Sequence, residues 1–250
     1  MESLRSRFTV HTYEVDAFGH LAVPALTGFL AETAGHHATA LGVGIDALMA
    51  RGLTWVLVRQ RLEILRAPRL HEELEVETWP SGVDRLAALR DFRVRGADGA
   101  ELARAITQWL VLDLATRRPR PPLEVLDEAR FRIEVPHAVS FERKLPELER
   151  WDREKRFHIR YADIDRNLHV NNGSYLAWAI EAMPREVWQS SRMAALEVQY
   201  RAECTLGSAV LSRVLSTGDG AYLHGIVREE DGKELTRLVT RWAARQGEPG

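Results

Sequence analysis

The sequence predicts an α+β fold made twice over, each half a single long helix followed by an antiparallel meander of strands. Three observations predict it. A hairpin block recurs: Asp98-Gly99-Ala100-Glu101-Leu102-Ala103-Arg104 is followed by Thr107 and Trp109, and Asp231-Gly232-Lys233-Glu234-Leu235-Thr236-Arg237 by Thr240 and Trp242, at the same spacing. An upstream segment recurs as well. Phe8-Thr9-Val10 leads to Tyr13, Asp16 and His20, and Phe157-His158-Ile159 leads to Tyr161, Asp165 and His169. After each upstream segment comes one stretch of helical periodicity, and after that only strand-like runs.

Taken in chain order, the first half opens on a strand-like segment near Phe8. Leu26, Phe29, Leu30 and Ala34 then fall on one helix face,. Alternating runs follow over roughly 54–66, 72–81, 84–96 and 100–114, the last two joined by Asp98-Gly99, a tight-turn pair,. The second half repeats this with Tyr175, Trp178, Ala179, Ala182 and Met183 on one helix face and runs near 194–204, 207–217, 220–229 and 233–244. Glu32 and Glu181 occupy matching places. Such a helix needs an apolar sheet face to cover it, so each half reads as a curved sheet wrapped around its helix. Between the halves, about 116–154 collects Pro119, Pro121, Pro122, Pro136 and Pro146 among many charges and reads as a linker, within which Phe131, Ile133 and Val135 could form a short strand,. The expected domains are 1–115, a linker at 116–154, and 155–250.

Composition narrows the function. The net charge of −2, with 28% charged residues of both signs, argues against a nucleic-acid binder,. Cys204 is the only cysteine, so no intrachain disulfide can form and a reducing compartment is expected,. Met1 to Phe8 is polar, without an apolar signal core or a transit-like leader, and no apolar run is long enough to span a bilayer,. A cytoplasmic location and no membrane association are therefore expected. His36 and His37 are adjacent and cannot share a helix face, and no Cys/His cluster forms, so neither a metal nor a cofactor is expected,.

The two halves differ at one loop. The first reads Asp16-Ala17-Phe18-Gly19-His20; the second reads Asp165-Arg166-Asn167-Leu168-His169-Val170-Asn171-Asn172. Asp165, Asn167 and His169 alternate at i, i+2, i+4, which on an extended loop aims all three to one side. Asn171 or Asn172 can cap the following helix, whose N-terminal amides suit an oxyanion. His is the proton carrier near neutral pH, and Asp165 can orient it or accept a proton itself. Asp/Asn-rich turns before helices also arise simply because these residues turn and cap well; the motif gains weight from being complete in one copy only. A second candidate pair, Glu203 and Cys204, ends the run from Leu196. Adjacent strand residues face opposite sides, so only one of the two should reach the site, and Glu197, Gln199, Arg201 and Glu203 should share a face.

The run Ile164-Asp165 through Asn167-Leu168-His169-Val170-Asn171-Asn172, then Tyr175, Trp178 and Glu181, then Leu196-Glu197 and Tyr200-Arg201-Ala202-Glu203-Cys204, resembles the plant-type acyl-acyl-carrier-protein thioesterases. In the first half Trp55-Val56, Arg59, Glu75-Val76-Glu77-Thr78-Trp79, Arg90-Asp91 and Thr116-Arg117-Arg118 add to the likeness, which covers about 8–244. The resemblance implies a tandem, or double, hotdog fold and hydrolysis of fatty acyl groups from acyl carrier protein. It implies a catalytic set of Asp165, Asn167, His169, Glu203 and Cys204 in the second half, and a non-catalytic first half that binds the acyl chain around 22–60. The missing plant leader suggests a bacterial, cytosolic member.

Two mechanisms stay open on the residues. Cys204 can act as a thiolate with His169, which needs a depressed thiol pKa. Alternatively Glu203 and Asp165 handle water while Asn167 and His169 polarise the carbonyl, which is favoured because carboxylates need no such shift. An apolar wall for the chain is expected from Leu26, Phe29, Leu30, Val56, Val58 and Leu62. A basic docking surface for the acidic carrier is expected among Arg117, Arg118, Arg120, Arg59, Arg61, Arg66 and Arg69. The alternatives are an acyl-CoA thioesterase, another hotdog enzyme such as a hydratase, or a non-catalytic acyl-thioester sensor. Duplication already supplies a dimer-like pair within one chain; a homodimer of the whole is left open.

Overall fold

The computed structural model describes residues 3–126, 136–142 and 144–245. The chain divides into two compact units, Met1–Phe141 and Glu142–Gly250, and the division falls inside the proline-rich stretch. The first unit runs β1 (Leu4–Thr9), α1 (Val23–Ala40), α2 (Ile45–Met49), β2 (Leu53–Ile64), β3 (Glu73–Asp84), β4 (Ala87–Gly96), β5 (Glu101–Asp113) and β6 (Pro119–Arg120). The second runs β7 (Arg153–His158), α3 (Asn172–Glu181), α4 (Arg185–Ser190), β8 (Ser191–Tyr200), β9 (Ala209–Gly218), β10 (Ala221–Arg228) and β11 (Glu234–Ala244).

The sheet order is the same in both. In the first unit it is β1-β3-β4-β5-β2, and in the second β7-β9-β10-β11-β8, every described pair antiparallel. Each long helix lays its apolar stripe on one sheet face: Leu26, Phe29, Leu30 and Ala34 are buried on α1, and Tyr175, Leu176, Trp178 and Ala179 on α3. This is the hotdog arrangement, twice in one chain. Equivalent aromatic pairs join helix to edge strand. Phe8 stacks on Phe29 with ring centroids 4.3 Å apart, and Phe157 on Trp178 at 6.0 Å,. The recurring Thr/Trp spacing also has a physical basis, since the indole N–H of Trp109 donates to Thr107 Oγ1 at 2.8 Å and that of Trp242 to Thr240 Oγ1 at 2.9 Å.

Helix ends follow local chemistry. Pro24 sits in the first turn of α1, where its missing N–H costs nothing, and Gly42 at φ +75° ends it,. Asn171 caps α3, its side-chain oxygen accepting from Gly173 N at 2.7 Å. The stretch 116–154 is less loose than its composition implies. Pro119–Arg120 pairs with β5 at Val111 and Leu112, the edge position that tolerates proline,. Leu126 is buried with Val43, Leu48, Ala88 and Val111. Further on, the fully buried Asp91 accepts from Ala138 N at 2.7 Å and meets His137 Nδ1 at 2.9 Å. In the second unit Leu145 is fully buried, and Leu148 lies so close to Gly225 that a Cβ there would sit 3.1 Å from it. The strand expected at Phe131, Ile133 and Val135 lies outside the described residues.

Candidate active site

The loop Asp165–His169 is a tight turn, not an extended run. Asp165 N donates to His169 O at 2.8 Å, and Leu168 N to Asp165 O at 3.0 Å. Leu168 takes φ +61° to close the turn,. The alternation expected for Asp165, Asn167 and His169 therefore does not hold. Asp165 turns its carboxylate back on the loop, where Oδ1 accepts from Asn167 N at 2.8 Å and from His169 N at 3.3 Å. It orients His169 through the backbone rather than through the imidazole.

The turn is anchored on both flanks. Val170 N donates to Cys204 O at 2.9 Å, and Asn171 N to Asp163 O at 2.8 Å. Asp163 is buried, and its carboxyl is held below the usual range: hydrogen bonds and the charge of Arg160 outweigh the opposing burial. The caps also use up the helix end. Asn171 takes the amides of Gly173 and Ser174, so two first-turn N–H groups expected to face a carbonyl oxygen are already spent,.

Strand β8 ends at Tyr200, four residues short of the expected boundary. Arg201 N and Ala202 N both donate to Leu235 O, at 2.8 and 3.2 Å, and 201–204 leave the ladder. Glu203 and Cys204 are therefore loop residues, yet they do diverge. Glu203 Oε2 lies 3.6 Å from His169 Nε2, with about a third of each side chain exposed (39% and 32%), while Cys204 is 3% exposed. The polar face expected along β8 is broken too. Glu197 is buried and accepts from Glu142 N at 3.0 Å, and Arg201 pairs with Glu234 at 2.8 Å. Of the five expected residues, the structure joins His169 to Glu203 by side chain, ties Asp165 to the loop, buries Cys204 behind it, and leaves Asn167 exposed at the tip.

Sequence reasoning passed over Tyr175. Its hydroxyl is buried without a hydrogen-bond partner among the described residues, and its ring meets Trp178 at 5.5 Å and Tyr200 at 6.1 Å. Burial, then the nearby Cys204 and Glu203, push its phenol pKa well up, so it stays neutral. The sequence shows it in the apolar stripe and in the likeness to the thioesterases, but not as a site residue. The arginine docking face is less open than expected: Arg61 pairs with Glu63, Arg66 with Glu72, Arg120 with Glu124, and Arg59 lies over the Phe141 ring. Among the described residues no group of three or more His, Cys, Asp or Glu is placed to hold a metal ion, and no helix is long and apolar enough to cross a membrane.

Residues 2–131 match the model of the acyl-ACP thioesterase N-terminal domain, and residues 147–244 that of the C-terminal domain. The chain belongs to the acyl-ACP thioesterase family. The chloroplastic palmitoyl-acyl carrier protein thioesterase of Cuphea hookeriana is 29% identical over 97% of this chain and 63% of its own length. That of Gossypium hirsutum is 30% identical over 94% and 62%. The chain thus spans less than two thirds of these thioesterases. Among solved structures, an acyl-ACP thioesterase from Bacteroides thetaiotaomicron superposes with a TM-score of 0.88 at 26% identity, covering 96% of this chain and 98% of that one. The 12:0-ACP thioesterase from Umbellularia californica gives 0.85 at 26%, covering 97% and 98%. Two hotdog units in tandem are thus the architecture this chain shares with solved members of the family.

Proposed function

We propose that this chain hydrolyses fatty acyl thioesters of acyl carrier protein, with the reacting groups in the second unit. The pairing of His169 on the tight turn with Glu203 on the loop after β8 is the observation that carries this reading, and the names of the relatives supply the substrate class. Glu203 accepts a proton from water, the resulting hydroxide attacks the thioester carbon, and the C–S bond breaks. The proton passes from Glu203 to the leaving thiolate, leaving a fatty acid and the carrier's thiol. Because two of the first-turn amides of α3 are spent, His169 and the side-chain amide of Asn167 take the role of polarising the carbonyl. Asp165 is a positioning residue, and Cys204 is a wall of the site rather than its nucleophile. Residues 155–250 form the catalytic domain, 1–115 bind the acyl chain without catalysis, and 116–154 join them. The lone buried thiol suits work in the cytoplasm.

The test is thiol release from decanoyl-carrier-protein and decanoyl-CoA by the full chain. Faster release from the carrier ester is expected, and Cys204→Ser should keep most of that rate. Binding of either ester with no thiol released would replace the hydrolase by a sensor. Preference for CoA would replace the carrier, and loss of all activity in Cys204→Ser would restore the thiol as nucleophile.

A further inference from the structure

The two units differ beneath their helices as well as at their loops. In the second unit, cross-strand register sets Tyr200, Thr236, Ile226 and Ser212 in one row. That row faces α3: Ser212 Oγ donates to Trp178 O at 3.1 Å, and Tyr200 Oη to Asn172 O at 3.4 Å. The corresponding row of the first unit is Ile64, Ala103, Val94 and Val76, all buried and all apolar. In the next row His224 stands where the first unit has Phe92. On the helix, Tyr175 follows His169 at the spacing at which Leu26 follows His20. Tyr175, Tyr200, Thr236, Ser212 and His224 are thus polar at interior positions that the first unit fills with Leu26, Ile64, Ala103, Val76 and Phe92.

Tyr200 and Ser212 spend their hydroxyls on the backbone of α3. The other three keep spare polar atoms. Tyr175 Oη, Thr236 Oγ1 and His224 Nδ1 are buried without a hydrogen-bond partner among the described residues. His224 Nε2 meets Thr240 Oγ1 at 2.8 Å, and burial pushes the imidazole pKa down to about 3, so the ring is neutral and Nδ1 is left over. Buried polar atoms in native proteins are bonded to protein or to ordered water, because a bare one carries its full desolvation cost. These three belong to one neighbourhood. Thr236 pairs with Tyr200, whose ring meets Tyr175 at 6.1 Å, and on its other side with Ile226, two residues from His224 on the same face. Water is small enough to bridge diagonal neighbours of that kind and takes two to four polar partners. The neighbourhood also borders the site. Leu235 O, next to Thr236, takes Arg201 N and Ala202 N at the start of the loop that carries Glu203. Tyr175 lies near enough to Cys204 and Glu203 for their charges to act on its phenol.

We propose that Tyr175, Thr236 and His224 hold ordered water behind Glu203, and that this water replaces the molecule consumed in each hydrolysis, with Tyr175 as the positioning residue at the Glu203 end. The role given to the water rests on the hydrolase reading. A bound thioester closes the outer approach to the site, while every turnover uses one water, whose proton Glu203 accepts. A store on the inner side keeps the base supplied while substrate is bound.

Diffraction from crystals of the full chain tests the water directly. A water within hydrogen-bond reach of both Tyr175 Oη and Thr236 Oγ1 is expected; none there, at a resolution that shows other buried water, would overturn the proposal. Thiol release tests the role. Tyr175→Phe and Thr236→Val keep shape and lose one hydroxyl each, so each should lower kcat at least about tenfold with KM held within about twofold. Thr236→Ser restores the hydroxyl and should keep most of the rate. Urea unfolding separates this from lost structure. Midpoints of Tyr175→Phe and Thr236→Val should stay level or fall, whereas a rise in both would mean bare hydroxyls and would overturn the water. Full kcat in both variants would overturn the role and leave the hydrolase reading intact. No thiol release by the unaltered chain would remove that reading and the role together, and diffraction alone would then decide the water.

Discussion

The two loops before α1 and α3 share a backbone and differ in chemistry. Asp16 N donates to His20 O, as Asp165 N does to His169 O, and Asp16 Oδ1 accepts from Phe18 N and His20 N at 2.9 and 3.0 Å, as Asp165 does from Asn167 and His169. Leu21 N donates to Pro68 O where Val170 N donates to Cys204 O. Leu65 and Arg66 share the carbonyl of Leu102 as Arg201 and Ala202 share that of Leu235. The match places Ala67 where the second unit has Glu203, and Pro68 where it has Cys204. An Asp and a His are therefore common to both loops and do not by themselves set the second unit apart. The Asp builds the turn in either unit. What the second unit adds is Asn167, a carboxylate at 203, and an imidazole that is partly exposed; His20 is 5% exposed.

The sharpest way to break this comparison is to delete each histidine. His169→Ala is expected to lower the rate of thiol release by about a hundredfold or more, the usual scale of a lost proton carrier or polarising donor. His20→Ala should change it by less than about twofold. Equal losses would mean that both loops act on substrate, or that both histidines serve only stability, which unfolding curves of the two variants would separate.

The aspartates give a smaller and more discriminating pair. Removing either carboxylate leaves two turn amides without their acceptor, so Asp16→Ala and Asp165→Ala should each cost about 1–2 kcal/mol of stability, read from urea unfolding. Only the second should slow thiol release, by at least about tenfold. Asp165→Asn keeps an oxygen for the same amides, and as a positioning residue it should retain most of the rate. A collapse of rate in Asp165→Asn with stability intact would make Asp165 a reacting group instead.

The same pair shows what was legible in the sequence. The duplication was readable because hairpin turns, cross-strand Thr/Trp contacts and the helix stripe each depend on spacing that survives as pattern: Asp98-Gly99 and Asp231-Gly232 do turn the chain, at glycine φ values of +81° and +68°. The candidate site residues were legible through the loop motif and its likeness to the thioesterases. Their geometry was not, because it turns on one residue. Leu168 entering the left-handed region folds the loop back and spends Asp165 on its own amides. That depends on where the flanks at Val170 and Asn171 are tied, by the carbonyls of Cys204 and Asp163, one of them distant in sequence. Arg90 was visible only as a motif letter. Asp91, adjacent to it in sequence, serves a different segment.

The smallest expected effect lies at the turn's fourth residue, where the two units made opposite choices. Gly19 has φ +77° and a Cβ built there would meet nothing within 4 Å, so Gly19→Leu should cost only the backbone strain of a left-handed side-chain-bearing residue, about 1 kcal/mol,. Leu168 holds φ +61° with 74% of its surface exposed, so little packing offsets the same strain. Leu168→Gly should raise stability by about 0.5 kcal/mol, the relief being partly cancelled by the freedom glycine has when unfolded. Urea midpoints of the two variants should therefore move in opposite directions. A fall in both would show that Leu168 is held by its side chain, and the strain at the tip of the second loop would then be a by-product of packing. A rise in Leu168→Gly would mean the second unit keeps a strained, exposed leucine beside His169 that folding alone does not require, which is the pattern expected where a loop is shaped by what it must touch.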